Sequence, residues 1–106
     1  MKITVIITQN NPEQVFTALR FANFALNEGD AVSVFLTAEG VDLESIDDAR
    51  FDVRGQTKNF IGGGGSILAC GTCLKLRETA GSEVCSPSTM KVMYTLIKES
   101  DRVVTF

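Results

Sequence analysis

The stretch SILACGTCLKL, residues 66–76, joins a short apolar β run to the start of a helix. Two of the three cysteines of the chain, Cys70 and Cys73, lie at this junction. A cysteine just ahead of a helix lies beside unpaired backbone N–H groups and the positive end of the helix dipole, and both favour the thiolate over the thiol. The thiolate is the form that attacks sulfur, carbon or metal. The junction therefore predicts a reactive cysteine, and Cys70 fits that position best.

The rest of the chain shows the same alternation of strands and helices. Apolar, β-branched residues 2–8 predict a strand covered on both faces, and Asn11 followed by Pro12 predicts a helix start. Further strands are predicted at 31–38, 66–69, 82–85 and 103–106, and helices at 12–28, 56–61, 73–80 and from 87 onward. This order is typical of βαβ crossovers. We therefore expect one α/β domain over residues 1–106, with a parallel sheet between helices.

Composition narrows the classes of function. The net charge is −3 without a basic stripe, so neither nucleic acid nor a membrane surface is an expected partner. The apolar run at the amino terminus is too short for a signal peptide or a membrane span, and we expect a cytoplasmic protein. The chain has no histidine, which excludes Cys–His and Ser–His hydrolases. No cofactor is predicted. No metal is predicted either, because the acidic patch within residues 42–48 is typical of ordinary protein surface.

The three cysteines are predicted to share one rim of the sheet. Functional groups of an open parallel sheet gather outside the carboxyl ends of its strands. The predicted strands end at Cys70 and at Cys85, and Cys73 lies within one turn of Cys70. The alternative is that all three are small buried apolar residues, as free cysteine often is.

Several polar and small residues are expected to support these thiols. Gly71 and Thr72 are turn and cap residues within Cys-Gly-Thr-Cys, and this spacing lets either sulfur reach the other. The turn after the first strand opens on the same edge and is a candidate source of hydrogen bonds; it comprises Thr8, Gln9 and Asn10. Residues 38–41 are a candidate second wall.

Three phenylalanines on the first helix leave two interpretations open. Phe24 lies opposite the face predicted to pack on the sheet, and Phe16 and Phe21 lie on its flanks. They either pack against a neighbouring loop or helix, or form a subunit interface.

The chain resembles the DsrE/DsrF-like family, to which sulfur-relay subunits of the TusD type belong. The likeness covers almost the whole length, in TQNNP (8–12), LRFA (19–22), VSVFL (32–36), ACGTCLK (69–75) and DRVVTF (101–106). It implies a three-layer α/β/α fold with a five-stranded parallel sheet, assembly into homo- or hetero-oligomers, and a cysteine that carries persulfide sulfur. In relay members this cysteine follows the third strand, which corresponds to Cys70. Cys73 is an additional thiol, able to resolve a persulfide into a disulfide.

The leading hypothesis is a sulfur-handling protein in which Cys70 accepts sulfane sulfur from a donor protein and passes it to an acceptor protein. Cys73 would act as a resolving or second thiol. One alternative is thiol–disulfide exchange between Cys70 and Cys73, although no counterpart of the thioredoxin cis-proline loop is evident. Another is a non-enzymatic oligomeric binding or regulatory module.

Overall fold

Five parallel strands form one sheet in the computed structural model, which describes residues 1–106. The strands are β1 (Lys2–Ile7), β2 (Ala31–Leu36), β3 (Ser66–Cys70), β4 (Ser86–Ser88) and β5 (Arg102–Thr105), in the spatial order β4-β3-β2-β1-β5. The helices are α1 (Pro12–Asn27), α2 (Val53–Gly62), α3 (Gly71–Leu76) and α4 (Met90–Glu99), and a 3-10 helix (Ala38–Ser45) follows β2. The predicted α/β fold with a five-stranded parallel sheet is confirmed.

Strand order explains how the helices are layered. The connections from β1 to β4 step in one direction, whereas the connection from β4 to β5 returns to the opposite edge. Because such crossovers are right-handed, α4 covers the face of the sheet opposite α1 and α2. Thr4 of β1, whose hydroxyl lies 2.6 Å from the Ser100 hydroxyl at the end of α4, faces that side. The result is three layers around a core built from both faces of β1 and β2.

The first helix begins where its sequence predicts. The Asn11 side chain accepts a hydrogen bond from the Gln14 backbone N–H at 3.1 Å, and Pro12 occupies the first helical position. Gly29 follows the helix with a φ of 94°, a conformation that glycine adopts without steric cost. The buried stripe of α1 comprises Val15, Ala18, Leu19, Ala22 and Ala25.

The sequence prediction was wrong about residues 82–89. Strand β4 covers Ser86–Ser88 instead of 82–85, and Pro87 lies within this strand instead of starting a helix. A proline is tolerated there because β4 is at the edge of the sheet. Helix α4 begins three residues later, where the Thr89 hydroxyl accepts a hydrogen bond from the Val92 N–H at 3.3 Å.

Two other helices have different limits from those predicted. Helix α3 ends at Leu76 instead of near 80, and Glu78 just beyond it takes a left-handed φ of 54°. Helix α2 begins at Val53 instead of 56, because Asp52 caps it by accepting a hydrogen bond from the Gly55 N–H at 2.9 Å.

The flanking phenylalanines of α1 pack within the chain. The Phe16 ring lies 5.9 Å from that of Phe51, and the Phe21 ring lies 6.1 Å from that of Phe106. Phe24 remains 64% exposed. No helix combines the length and the apolar character needed to cross a membrane.

Candidate functional site

Cys70 and Cys73 lie together at the carboxyl end of the sheet. Cys70 is the last residue of β3 and the N-cap of α3, and it is buried. Cys73, in the first turn of α3, is half-buried. Both thiols line an open groove of about 520 Å³. The other lining residues are Thr37, Gly71, Thr72, Lys75, Ser88, Thr89 and Met90.

The Cys73 sulfur is surrounded by hydrogen-bond donors from the segment that follows β2. The Ala38 backbone N–H donates to Sγ at 3.2 Å, and the Thr37 hydroxyl oxygen lies 3.7 Å from the same sulfur. Ala38 has a left-handed φ of 51°, which costs a non-glycine residue roughly 1–2 kcal/mol. Local strain of this kind is common at functional sites, where the surrounding structure maintains it.

These contacts stabilise the Cys73 thiolate. Burial opposes the charge, but it is outweighed by hydrogen bonds from the Cys70 thiol, the Ala38 N–H and the Thr37 hydroxyl, together with the positive charge of Arg77. Their combined effect lowers the pKa of Cys73 below its ordinary value. Cys73 is therefore the thiol whose surroundings favour the nucleophilic form, with Cys70 as a neighbouring donor.

The structure separates Cys85 from the other two cysteines. Cys85 precedes β4 instead of ending a strand, whereas it is Ser88, at the end of β4, that pairs with Cys70. The predicted position of Cys85 on the shared rim was therefore wrong, and Cys85 does not line the groove. Burial, followed by the charge and hydrogen bond of Glu44, raises the pKa of the Cys85 thiol to about 12. Cys85 consequently remains a protonated thiol at neutral pH.

The turn after β1 does not touch the thiols directly. Thr8 binds the carbonyl oxygen of Phe106 through its N–H at 2.9 Å and its hydroxyl at 3.0 Å. Gln9 donates to the side chain of Gln14. None of Thr8, Gln9 and Asn10 lines the groove. The sequence placed this turn on the correct edge, but its contacts are with other elements.

Gly71 and Thr72 do line the groove. A Cβ on Gly71 would lie 2.9 Å from the carbonyl oxygen of Ser88, so glycine permits the close approach of β4 to the start of α3. Thr72 is exposed on the rim. No group of three or more His, Cys, Asp or Glu side chains converges to hold a metal ion.

Some site residues were not predicted from the sequence. Thr37 was missed because the second strand was predicted at 31–38, whereas β2 ends at Leu36 and leaves Thr37 on the rim. Residues 38–41 had been predicted to form a wall. Ser88, Thr89 and Met90 were missed because their segment was assigned to a helix. Asp42, which had been assigned to ordinary acidic surface, accepts a hydrogen bond from Asn10 and pairs with Arg77.

Comparison with known protein families identifies the family of this chain. The model of the DsrE/DsrF-like family matches residues 1–106. This chain belongs to the DsrE/DsrF-like family. Two relatives of this DsrE/DsrF-like protein match over nearly the whole chain. The uncharacterized protein MJ0989 of Methanocaldococcus jannaschii is 38% identical in an alignment of 114 residues, gaps included, that covers 100% of both chains. The uncharacterized protein MK0008 of Methanopyrus kandleri is 34% identical in an alignment of 112 residues, gaps included, that covers 98% of this chain and 93% of the relative.

Solved structures show the same fold as this DsrE/DsrF-like chain. The ychN protein from E. coli superimposes with a TM-score of 0.85 at 18% identity and covers 100% of both chains. A conserved protein of unknown function from Bacteroides thetaiotaomicron, BT1422, gives a TM-score of 0.78 at 20% identity, covering 99% of this chain and 94% of its own. At these identities the likeness establishes the architecture. The family as a whole is generally related to sulfur relay.

Proposed function

We propose that this protein carries sulfane sulfur as a persulfide in a cytoplasmic sulfur relay, with Cys73 as the attacking thiolate and Cys70 as its partner thiol. The observation that carries the proposal is the Cys73 sulfur, which accepts a hydrogen bond from the Ala38 N–H at 3.2 Å within an open groove. A thiolate stabilised by donors and still accessible from solvent is the arrangement that sulfur transfer requires.

The transfer step is a thiol–persulfide exchange. The Cys73 thiolate attacks the terminal sulfur of a donor persulfide, the S–S bond of the donor breaks, and the donor leaves as a thiolate that takes up a proton. The product is a persulfide on Cys73, and no external oxidant or reductant is needed. Attack by the thiolate of an acceptor protein on the terminal sulfur reverses these roles and unloads the chain.

The sequence pointed to Cys70 as the sulfur-bearing residue, and that assignment stays a prediction. Cys70 is only 8% exposed, whereas Cys73 is half-buried and receives the backbone donor. These differences favour first attack by Cys73. Cys70 is close enough in sequence to take the second role, which is to donate to the thiolate or to resolve the persulfide.

Intact-mass spectrometry tests the proposed activity. Reduced protein is incubated with a cysteine desulfurase and cysteine, or with inorganic polysulfide, and a parallel sample has its thiols alkylated beforehand. We expect the unblocked chain to gain the mass of one sulfur atom, and we expect dithiothreitol to reverse this gain. A blocked sample that gains the same mass, or an unblocked sample that gains none, would contradict the proposal.

The same experiment tests thiol–disulfide exchange, the second candidate. The Cys-x-x-Cys spacing and the shared groove favour it. Its signature is the loss of two hydrogens without added sulfur, reversible by reductant, after exposure to a disulfide. If a stable Cys70–Cys73 disulfide formed in preference to the persulfide, the result would favour redox exchange over sulfur carriage as the function.

The proposal includes assembly with copies of the same chain through helix α4. Met90, Tyr94 and Ile97 form an apolar stripe along α4 with exposed fractions of 67%, 63% and 40%. Met90 also lines the thiol groove, so a copy that covered this stripe would border the site. An exposed apolar stripe beside a functional groove is typical of an interaction surface.

Light scattering coupled to size exclusion tests this assembly. We expect the wild type to elute as an oligomer and Tyr94→Lys to shift it towards monomer, because a lysine on the stripe would have to be buried without a partner. Phe24→Lys is the matched control, since Phe24 is 64% exposed on α1 in the opposite layer. Dissociation by Phe24→Lys alone would place the interface on α1, and a monomeric wild type would contradict assembly altogether.

A further inference from the structure

Arg77, just after helix α3, connects the thiol site to two other loops. Its Nη1 donates to the carbonyl oxygen of Cys73 at 3.2 Å, and its Nε lies 3.5 Å from Oδ1 of Asp42 in the 3-10 helix. The second oxygen of Asp42 accepts a hydrogen bond from the Asn10 side chain at 3.1 Å. Arg77 and Asp42 together therefore link three segments: the end of α3, the 3-10 helix and the turn after β1.

Arg77 is the least exposed of the three arginines that pair with an aspartate. The side chains of Arg77 and Asp42 are 30% and 34% exposed, whereas Arg50 and Arg54 in the other pairs are 80% and 61% exposed. Water and salt screen a partly covered charge less than an exposed one. The hydrogen bond to the Cys73 carbonyl also fixes the position of the guanidinium relative to the thiol. Arg77 is thus placed to act on Cys73 through its charge.

We propose that Arg77 is a positioning residue that stabilises the Cys73 thiolate, and that Asp42, held by Asn10, orients Arg77 and offsets part of its charge. The pair would set the fraction of Cys73 that is present as the thiolate at a given pH. The inference rests on the proposed function only in taking Cys73 as the reactive thiol. Alkylation of Cys73 can be measured without any sulfur transfer.

The other charged groups around Cys73 are few. Lys75 on the same helix is the charged side chain that lines the groove, and Cys70 is the neighbouring thiol. Glu39 of the 3-10 helix follows Ala38 and is exposed, and Glu44 of that helix acts on Cys85. The β4–α4 wall contributes Ser88, Thr89 and Met90, none of which carries a charge. Neutralising Arg77 and Asp42 in separate variants therefore measures the effect of each charge on the ionisation of Cys73.

The test is the pH dependence of Cys73 alkylation by iodoacetamide, followed on the Cys73 peptide by mass spectrometry in the full chain. We expect Arg77→Gln to move the midpoint of the rate profile up by about half a pH unit to one unit, because a stabilising positive charge is lost. We expect Asp42→Asn to move it down by about half a unit, because the same arginine loses its counter-charge. Arg77→Lys should restore most of the wild-type midpoint.

Opposite shifts distinguish a charge effect from a structural one. If the pair only held the loops together, Arg77→Gln and Asp42→Asn would both loosen the site and move the midpoint in the same direction, or leave it unchanged, and either result would overturn the inference. Arg54→Gln is the control for net charge, since Arg54 pairs with Asp47 away from the groove. A shift as large in Arg54→Gln as in Arg77→Gln would also overturn it. Failure of sulfur loading with the opposite shifts intact would count against the proposed function alone.

Discussion

Replacement of Cys73 by serine is expected to abolish sulfur loading, down to the level of a chain with all thiols blocked. A serine hydroxyl keeps the size of the side chain and can still accept a hydrogen bond from the Ala38 N–H, but it does not ionise near neutral pH and forms no persulfide. The fold should be preserved, because the change replaces only one sulfur atom by oxygen at a half-buried position. Intact mass after exposure to a cysteine desulfurase and cysteine measures the loss.

Cys70→Ser is expected to behave differently from Cys73→Ser. The hydroxyl can still donate to the Cys73 sulfur, so loading should persist. In the wild type, the Cys70 sulfur can attack the Cys73 sulfur of the persulfide; the S–S bond of the persulfide breaks, a Cys70–Cys73 disulfide forms, and the terminal sulfur leaves as hydrogen sulfide with the Cys70 proton. Without this reaction the loaded Cys70→Ser chain should release less sulfide and persist longer.

Cys85→Ser provides the matched control. Its thiol is buried, its pKa is raised to about 12, and it lies outside the groove, so loading should remain at the wild-type level. If loading were lost with Cys70→Ser and retained with Cys73→Ser, the sulfur-bearing residue would be Cys70, as the sequence alone indicated. Loss of loading with Cys85→Ser in a folded chain would contradict both assignments.

Most of the fold could be predicted because its long elements carry their own pattern. The apolar, β-branched run of β1 and the cap and apolar stripe of α1 each satisfy local rules, and both elements were found where predicted. Strand β4 has no such signal. Its three residues, Ser86, Pro87 and Ser88, show no apolar alternation, and they form a strand because they pair with β3. An edge strand held by backbone contacts is set by tertiary structure and not by its own sequence.

The site was predictable in part for a similar reason. The position of Cys70 and Cys73 at a strand–helix junction is local information, and the sequence contains it. Contact between Cys73 and Ala38 depends instead on β2 lying beside β3, with Leu36 paired to Ala69, and on the left-handed φ of Ala38. Strand order was not fixed by the sequence, so the donors to Cys73, which support its proposed role as the attacking thiol, emerged only from the structure.

Gly40→Ala is expected to destabilise the fold by about 3 kcal/mol or more, a large part of the stability of a small domain. A Cβ on Gly40 would lie 2.1 Å from the carbonyl oxygen of Ile7, at the end of the interior strand β1. That oxygen also accepts the Thr37 N–H at 3.0 Å, so the backbone cannot move away without losing a hydrogen bond. Any shift of this segment also carries the Ala38 N–H away from Cys73.

Urea denaturation followed by circular dichroism measures the loss for Gly40→Ala, and Gly62→Ala is its matched control. A Cβ on Gly62, the last residue of α2, would meet no atom within 4 Å, so the control should be neutral or slightly stabilising through helix propensity. If the two variants unfolded at the same urea concentration, the close approach at Gly40 would not contribute to stability. If Gly40→Ala lowered stability but left the pH midpoint of Cys73 alkylation unchanged, the segment after β2 would not set the reactivity of the thiol. The contact between Gly40 and Ile7 thus connects the packing of the buried strand β1 to the chemistry of Cys73.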